Sequence, residues 1–397
     1  MLESIIENTE ALSSFLQAFR PAFKNSPQFR LFQHYVVALI LYLGSKNLSG
    51  LSRAIPDGRS ESSLYRFVSQ YDWDVEQVKA CRTGILNRRT RRVIQAAQRR
   101  GEVVPVFVII DDTLVEKTGK TMEGVAKHYS HTEDKQVLSH VWVTGQLVVL
   151  GHSYPLDWKL YRRQAECEIA GAAFFSKPEL AETIVRDFIP FPDTRTYVLA
   201  DSWYSSQDLL NLCQKRGFHY IGAVKSNRKF SSSGHNKQVQ QWVKLMPKNA
   251  FDRVKVKGNR YKLWSAEGKL SSDHRIKLVV NRRYRHKKWQ YLISTDCILS
   301  PWSILSYYLI RWEVENFYRA AKQLLGWGDY QMRKLVAIER HVLLLMVTHT
   351  YLECQRQDAR EQLTDGGCSS HFTLGALQRQ QQAAARRATI TLVFTLT

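Results

Sequence analysis

Residues 103–112, VVPVFVIIDD, constrain the fold of this chain more than any other stretch. Apolar and β-branched residues at this density pack as a strand covered on both faces, which calls for helices on either side of a sheet. Two carboxylates close the run. A second apolar run, TRTYVLAD, closes on Asp201. QVLSHVWVTG and QLVVLGHSYPLDWKLY read as two strands of a hairpin turning at Thr144-Gly145, KPELAETIVRDFI and SSQDLLNLCQKRG as helices, and FHYIGAVKS as a further strand. The order β-β-β-α-β-α-β predicts an α/β fold, a mixed sheet flanked by helices.

Residues 1–102 carry helical apolar spacing, interrupted near Pro56-Asp57-Gly58, and form an expected all-α domain. SRAIPDGRSESSLYRFVSQYDW within it is compatible with a helix-turn-helix. The core would run over 103–224 and resume over 299–360, split by an all-β insertion at 225–298 and followed by a tail at 361–397. The tail ends in an uncharged, strand-like TITLVFTLT.

Charge narrows the partner. The chain has 57 Lys and Arg against 36 Asp and Glu, a formal +21. Between Lys225 and Lys288 stand 19 basic and 3 acidic residues, so most of the surplus lies in the insertion. Solubility needs no such concentration, whereas a surface that follows phosphates does. Arg88, Arg89, Arg91, Arg92, Arg99 and Arg100 form a second basic cluster. Six scattered cysteines without a C-x-x-C pair argue against a disulfide framework or zinc ribbon. His128, His131 and His140 stand close in sequence, but with no cysteine nearby they are expected to pack rather than bind zinc. The first residues lack a basic signal region, and the apolar run YVVALILYLG is about half a membrane span. A cytoplasmic protein with no membrane partner is expected.

The stretch YYLIRWEVENFYRAAKQLLG places Tyr308, Arg311, Glu315 and Lys322 at offsets of 0, 3, 7 and 14. On one helix over 303–325 these fall within an arc of roughly 60°. By itself this could be a solvated stripe with an i,i+4 pair between Arg311 and Glu315. The acids at the strand ends give it another meaning. Three carboxylates converging within about 4 Å would repel by roughly 4 kcal/mol per pair at an effective dielectric near 20. Such a cluster needs cations, and all-oxygen donors suit Mg²⁺ or Mn²⁺, two of which can drive phosphodiester chemistry. Successive strand residues face opposite ways, so Asp111 and Asp112 cannot both belong to one cluster.

This arrangement resembles the ribonuclease-H-like core of DDE transposases over about residues 104–350. The Tyr-x2-Arg-x3-Glu-x6-Lys pattern is similar to the signature of one branch of bacterial insertion-sequence transposases, which also carries a β-rich insertion before its Glu. The resemblance implies Asp111 (from an Asp-x-Thr pattern), Asp201 and Glu315 as catalytic metal ligands for two Mg²⁺ or Mn²⁺ ions. It implies Tyr308, Arg311 and Lys322 as contacts to the DNA backbone, and Trp264 or Trp289 as a stacking surface for an unpaired base. Arg282 and Arg283 of the basic segment join the DNA-binding set. Double-stranded DNA, as terminal inverted repeats and target, would be the partner of a homodimer associated with a bacterial nucleoid. A related nuclease or recombinase, or an inactive DNA-binding derivative, would share these features.

Overall fold

The computed structural model describes residues 10–55, 58–130, 132–270, 274–361 and 373–384. Helices come first: α1 (Glu10–Gln17), α2 (Ser26–Leu41), α3 (Leu48–Arg53), α4 (Glu61–Ser69) and α5 (Val75–Gln98). The last four are capped by Asn25, Asn47, Ser60 and Asp74, each accepting an otherwise unpaired N–H of the first turn. Pro56 and Asp57, at the expected interruption, lie outside the described residues, as does TITLVFTLT.

A strand region follows: β1 (Val104–Glu116), β2 (Ala126–Ser130), β3 (Lys135–Val149) and β4 (His152–Tyr161). Next come α6 (Gln164–Ile169), α7 (Lys177–Asp187), β5 (Thr194–Ala200), α8 (Gln207–Lys215) and β6 (His219–Ala223). The basic segment forms β7 (Lys229–Ser232), β8 (His235–Gln238), a short helix α9 (Val239–Leu245), β9 (Asp252–Val256), β10 (Asn259–Leu270), β11 (Arg275–Arg283) and β12 (Gln290–Ser294). Helices α10 (Pro301–Tyr308), α11 (Trp312–Gln323) and α12 (Leu335–Glu361) return to the core.

The sheet runs β2-β3-β1-β5-β6-β12-β11-β10-β7-β8, with β4 on β3 and β9 on β10. The pairs β1–β5 and β5–β6 are parallel and the others antiparallel, the mixed sheet anticipated above. The basic strands extend this same sheet, because β12 pairs with β6.

Thr144-Gly145 is not a turn. Strand β3 runs straight through it, and the chain reverses at Leu150-Gly151, whose φ values of 48° and 80° suit a two-residue hairpin. Gly145 serves packing instead. A Cβ there would lie 2.5 Å from Ile184 Cγ2, so the missing side chain lets α7 press onto the sheet.

Helix α12 is the hub for the N-terminal helices. Tyr35 hydrogen-bonds His341 Nδ1 at 2.7 Å, and Arg340 donates to the Tyr71 carbonyl at 2.8 Å. Arg82 of α5, 2% exposed, donates to the carbonyls of Pro155 and Leu156 at 2.7 Å each. Length and composition would let α12 cross a bilayer, but most of its apolar window is buried within the protein. It is a core helix.

Four histidines in this interior are held neutral. Burial pushes His128 and His140 down to about 4, and His341 and His349 down to about 3. An unfolded histidine takes a proton near pH 6.5, while the folded chain refuses it until pH 4 or below. The contribution of these histidines to stability should therefore be full above pH 6.5 and fall as pH drops through 6.5 toward 4. Urea midpoints at stepped pH values would show this decline, and His341→Gln should make it shallower by the share of one histidine.

Candidate active site

The parallel register decides which acids meet. Phe107 pairs with Tyr197, Ile109 with Leu199 and Ile110 with Ala200, so Asp111 and Asp201 come next on one rung. Both continue the odd-numbered face of β1. Strand β5 stops at Ala200, while β1 continues to Glu116 along β3. Asp111 is thus inside β1 rather than at its end, beside a position that β5 has vacated. Asp201 opens the following loop, its Oδ1 accepting the Trp203 N–H at 2.8 Å.

Helices α10 and α11 cover this face. Tyr307 packs edge-on against Phe107 and Tyr197, with ring centroids 4.9 and 5.2 Å apart. Two rungs further, Tyr318 of α11 hydrogen-bonds Thr144 at 2.6 Å, and Thr144 is the cross-strand partner of Asp111. Glu315 stands one turn before Tyr318.

Tyr308 to Lys322 do not form one helix. Leu309–Arg311 is a 3₁₀ turn between α10 and α11. The tighter winding changes the phase of the stripe. Arg311 consequently forms an ion pair with Asp111, reaching across the site, instead of an i,i+4 pair with Glu315. Glu315 falls in the first turn of α11, where the helix dipole favours a carboxylate.

The electrostatics converge on Arg311. Burial opposes its charge, but Asp111, then Tyr308, Asp201 and Glu315 raise its pKa on balance. Asp111 is pushed up to about 7, chiefly by burial and further by Asp201, against the lowering effect of Arg311. Among the described residues, no three His, Cys, Asp or Glu side chains stand close enough to enclose a metal ion. The donor chemistry nevertheless fits a hard divalent ion: carboxylate oxygens, one of them on a buried aspartate crowded by a like charge, and a guanidinium already paired with it.

Asp112 points to the other face. Lys177 binds its Oδ2 at 2.8 Å, and Tyr204 donates to its Oδ1 at 2.8 Å. Neither partner was foreseen from the sequence. Lys177 sits at the start of α7 with nothing local to mark its target.

Of the other predicted residues, Tyr308 is 6% exposed, with the Arg311 guanidinium 6.0 Å from its ring centre. Lys322 donates to the Leu114 carbonyl at 2.8 Å. Trp264 stacks on Trp242 inside the basic segment, at 6.3 Å and 23°. Trp289 packs against Phe251 and lies under Arg282, whose guanidinium carbon is 4.4 Å from the ring centre. Arg283 donates to Asn259 Oδ1 at 2.6 Å. These insertion residues are not brought against the acids. An exposed tryptophan near one of the acids is Trp203, 58% accessible, with Lys225 Nζ 5.5 Å from its ring centre. Its place two residues after Asp201 was a signal that could have been read.

The second basic cluster is partly consumed within the fold. Arg89 pairs with Asp358 at 2.6 Å and Arg100 with Glu102 at 2.6 Å. His140 bonds Tyr330 at 2.7 Å and the Glu123 carbonyl at 3.0 Å, which makes it a core residue. His131 lies outside the described residues.

The chain belongs to the DDE superfamily endonucleases, whose family profile matches residues 18–242. It is also 24% identical over 363 residues to a curated protein of Microchaete diplosiphon named "Probable transposase for insertion sequence element IS701". That match covers 86% of each chain.

The Asp112–Lys177 pair is less than a quarter exposed at each side chain, so losing one partner strands a charge. A double-mutant cycle with Asp112→Asn and Lys177→Met should give a coupling of about 1–2 kcal/mol in urea unfolding. Additive single effects would place the pair among weak surface contacts.

Proposed function

We propose that this protein is an insertion-sequence transposase that cuts DNA at the ends of its element and joins them to a target by metal-dependent phosphoryl transfer. The observation that carries this reading is a single guanidinium, Arg311, set among Asp111, Asp201 and Glu315 from three separate elements. Family membership supports the nuclease chemistry, and the relative matched over 86% of each chain supports the transposase role.

Asp111, Asp201 and Glu315 would hold Mg²⁺ or Mn²⁺, two ions on this reading, which when bound supply Lewis acidity toward the phosphodiester and a more acidic water. The chain's own residues do the rest. Arg311 has the fork geometry to grip a phosphate as it now grips a carboxylate, and Lys322 offers a point charge on the same side. Tyr308 lies beneath the guanidinium and limits its swing. Asp112, neutralised by Lys177 and Tyr204, keeps a fourth negative charge from the DNA path and fixes the rotation of β1. The basic segment, including Arg282, Arg283, Trp264 and Trp289, would follow the duplex backbone, with the N-terminal helices reading the element ends. Cut-and-paste transfer by a homodimer that pairs two ends completes the reading.

Asp201→Asn and Glu315→Gln should each abolish Mg²⁺-dependent cleavage of DNA carrying the element ends, while binding to that DNA stays within about twofold in a gel-shift titration. Wild-type cleavage by either variant would remove that residue from the chemistry and overturn the three-acid metal assignment.

A further inference from the structure

A second polar cavity lies beside α11, on the flank adjoining the one that bears Glu315. Its volume is about 640 Å³, the size range of small-molecule sites. It is walled by α11, α12, the β3–β4 pair and residues 373–375, at the start of the helix over 374–384.

Its lining is graded. At the mouth stand Arg319 and Arg360, both exposed and neither in an ion pair among the described residues. The carboxylate nearest the floor, Glu353, is 1% exposed and already neutralised by Arg356. Among the described residues Glu313 is the remaining acid of the lining, so these walls keep a surplus of one positive charge. The floor is uncharged and hydrogen-bonding. Gln146 and Ser153, 1% and 6% exposed, bond each other at 2.8 Å. His349, 2% exposed, has no hydrogen-bond partner for either ring nitrogen among the described residues. Burial holds that imidazole neutral, with one ring nitrogen a donor and the other an acceptor. Buried polar atoms normally find partners, so two orphans on one ring that lines a cavity point to a ligand.

We infer that this cavity binds a nucleoside monophosphate group, its phosphate at Arg319 and Arg360 and its base over Gln146, Ser153 and His349. A charged end and a flat, neutral, hydrogen-bonding end match the gradient from mouth to floor. The group could be a free nucleotide or the 5′-phosphorylated terminus of a DNA strand. Either way it would press on the helix that carries Glu315. The inference is independent of the transposase reading.

The test uses the full chain in EDTA, so that the acidic site contributes no metal-dependent binding. Isothermal titration with dAMP and, separately, with a short 5′-phosphorylated single strand should show saturable binding to one of them. Arg319→Glu with Arg360→Glu should weaken it about tenfold or more, while Asp201→Asn leaves it unchanged. Both arginines are exposed, so the double variant should unfold at the wild-type temperature, and His349→Leu supplies a second, uncharged perturbation. Binding of dAMP identifies a free nucleotide as the ligand. Binding of only the phosphorylated strand identifies a DNA end. No binding of either probe, or binding indifferent to the arginine and His349 substitutions, overturns the inference.

Discussion

The in-register parallel pairing of β1 with β5 governs everything else at the site. Because Ile110 lies against Ala200, the next residue of each chain is an aspartate, and both aspartates leave the sheet on one face. Burial and repulsion from Asp201 then raise the energy of ionised Asp111, which the protein meets with a guanidinium. A slip of one residue would send Asp201 to the opposite face and leave Asp111 without its neighbour. The early end of β5 matters equally. It leaves one edge of β1 uncovered beyond Ile110, and crevices beyond the ends of parallel strands are where open α/β sheets bind ligands.

The helices that complete the site are fixed by aromatic contacts rather than by continuity. Tyr307 seats α10 on Phe107 and Tyr197, and Tyr318 seats α11 on Thr144. The 3₁₀ turn between them lets both contacts form at once and turns Arg311 inward. Glu315 is therefore presented by a helix whose position is set on either side of the break. Such support from rigid elements is what holds a reactive constellation to a fraction of an ångström.

Much of this was legible in the amino-acid order because the informative signals were local. Aspartates closing apolar runs stand out, and the two-residue period already separates Asp111 from Asp112. Which face belonged to which acid depended on where α7 and α11 pack, and that is tertiary. Lys177 and Tyr204 claim Asp112 from distant positions with no spacing to betray them. The break at Leu309–Arg311 contains neither glycine nor proline, so helical periodicity ran through it unopposed. Thr144-Gly145 misled for the opposite reason: glycine in a strand reads as a turn unless the helix crossing over it is known. The packing of tryptophans in the basic segment is equally tertiary: Trp264 stacks on Trp242, a neighbour 22 positions away that no local pattern marks.

The basic segment is mechanically part of the site's scaffold. Strand β12 pairs with β6, β6 with β5, and β5 ends at the acids, so a continuous ladder joins the charged strands to Asp201. Helix α10 is bolted to the same segment, with Trp302 donating to the Lys255 carbonyl at 3.0 Å and Lys277 to the Leu299 carbonyl at 2.9 Å. A strand rung spaces neighbours by about 4.8 Å and resists shear, whereas a tethered domain would drift by many times that distance. Phosphates held along β9–β11 would therefore stand in a fixed relation to the carboxylates. Charge concentrated in an insertion is useful to chemistry at the acids only under that condition, and the shared sheet supplies it.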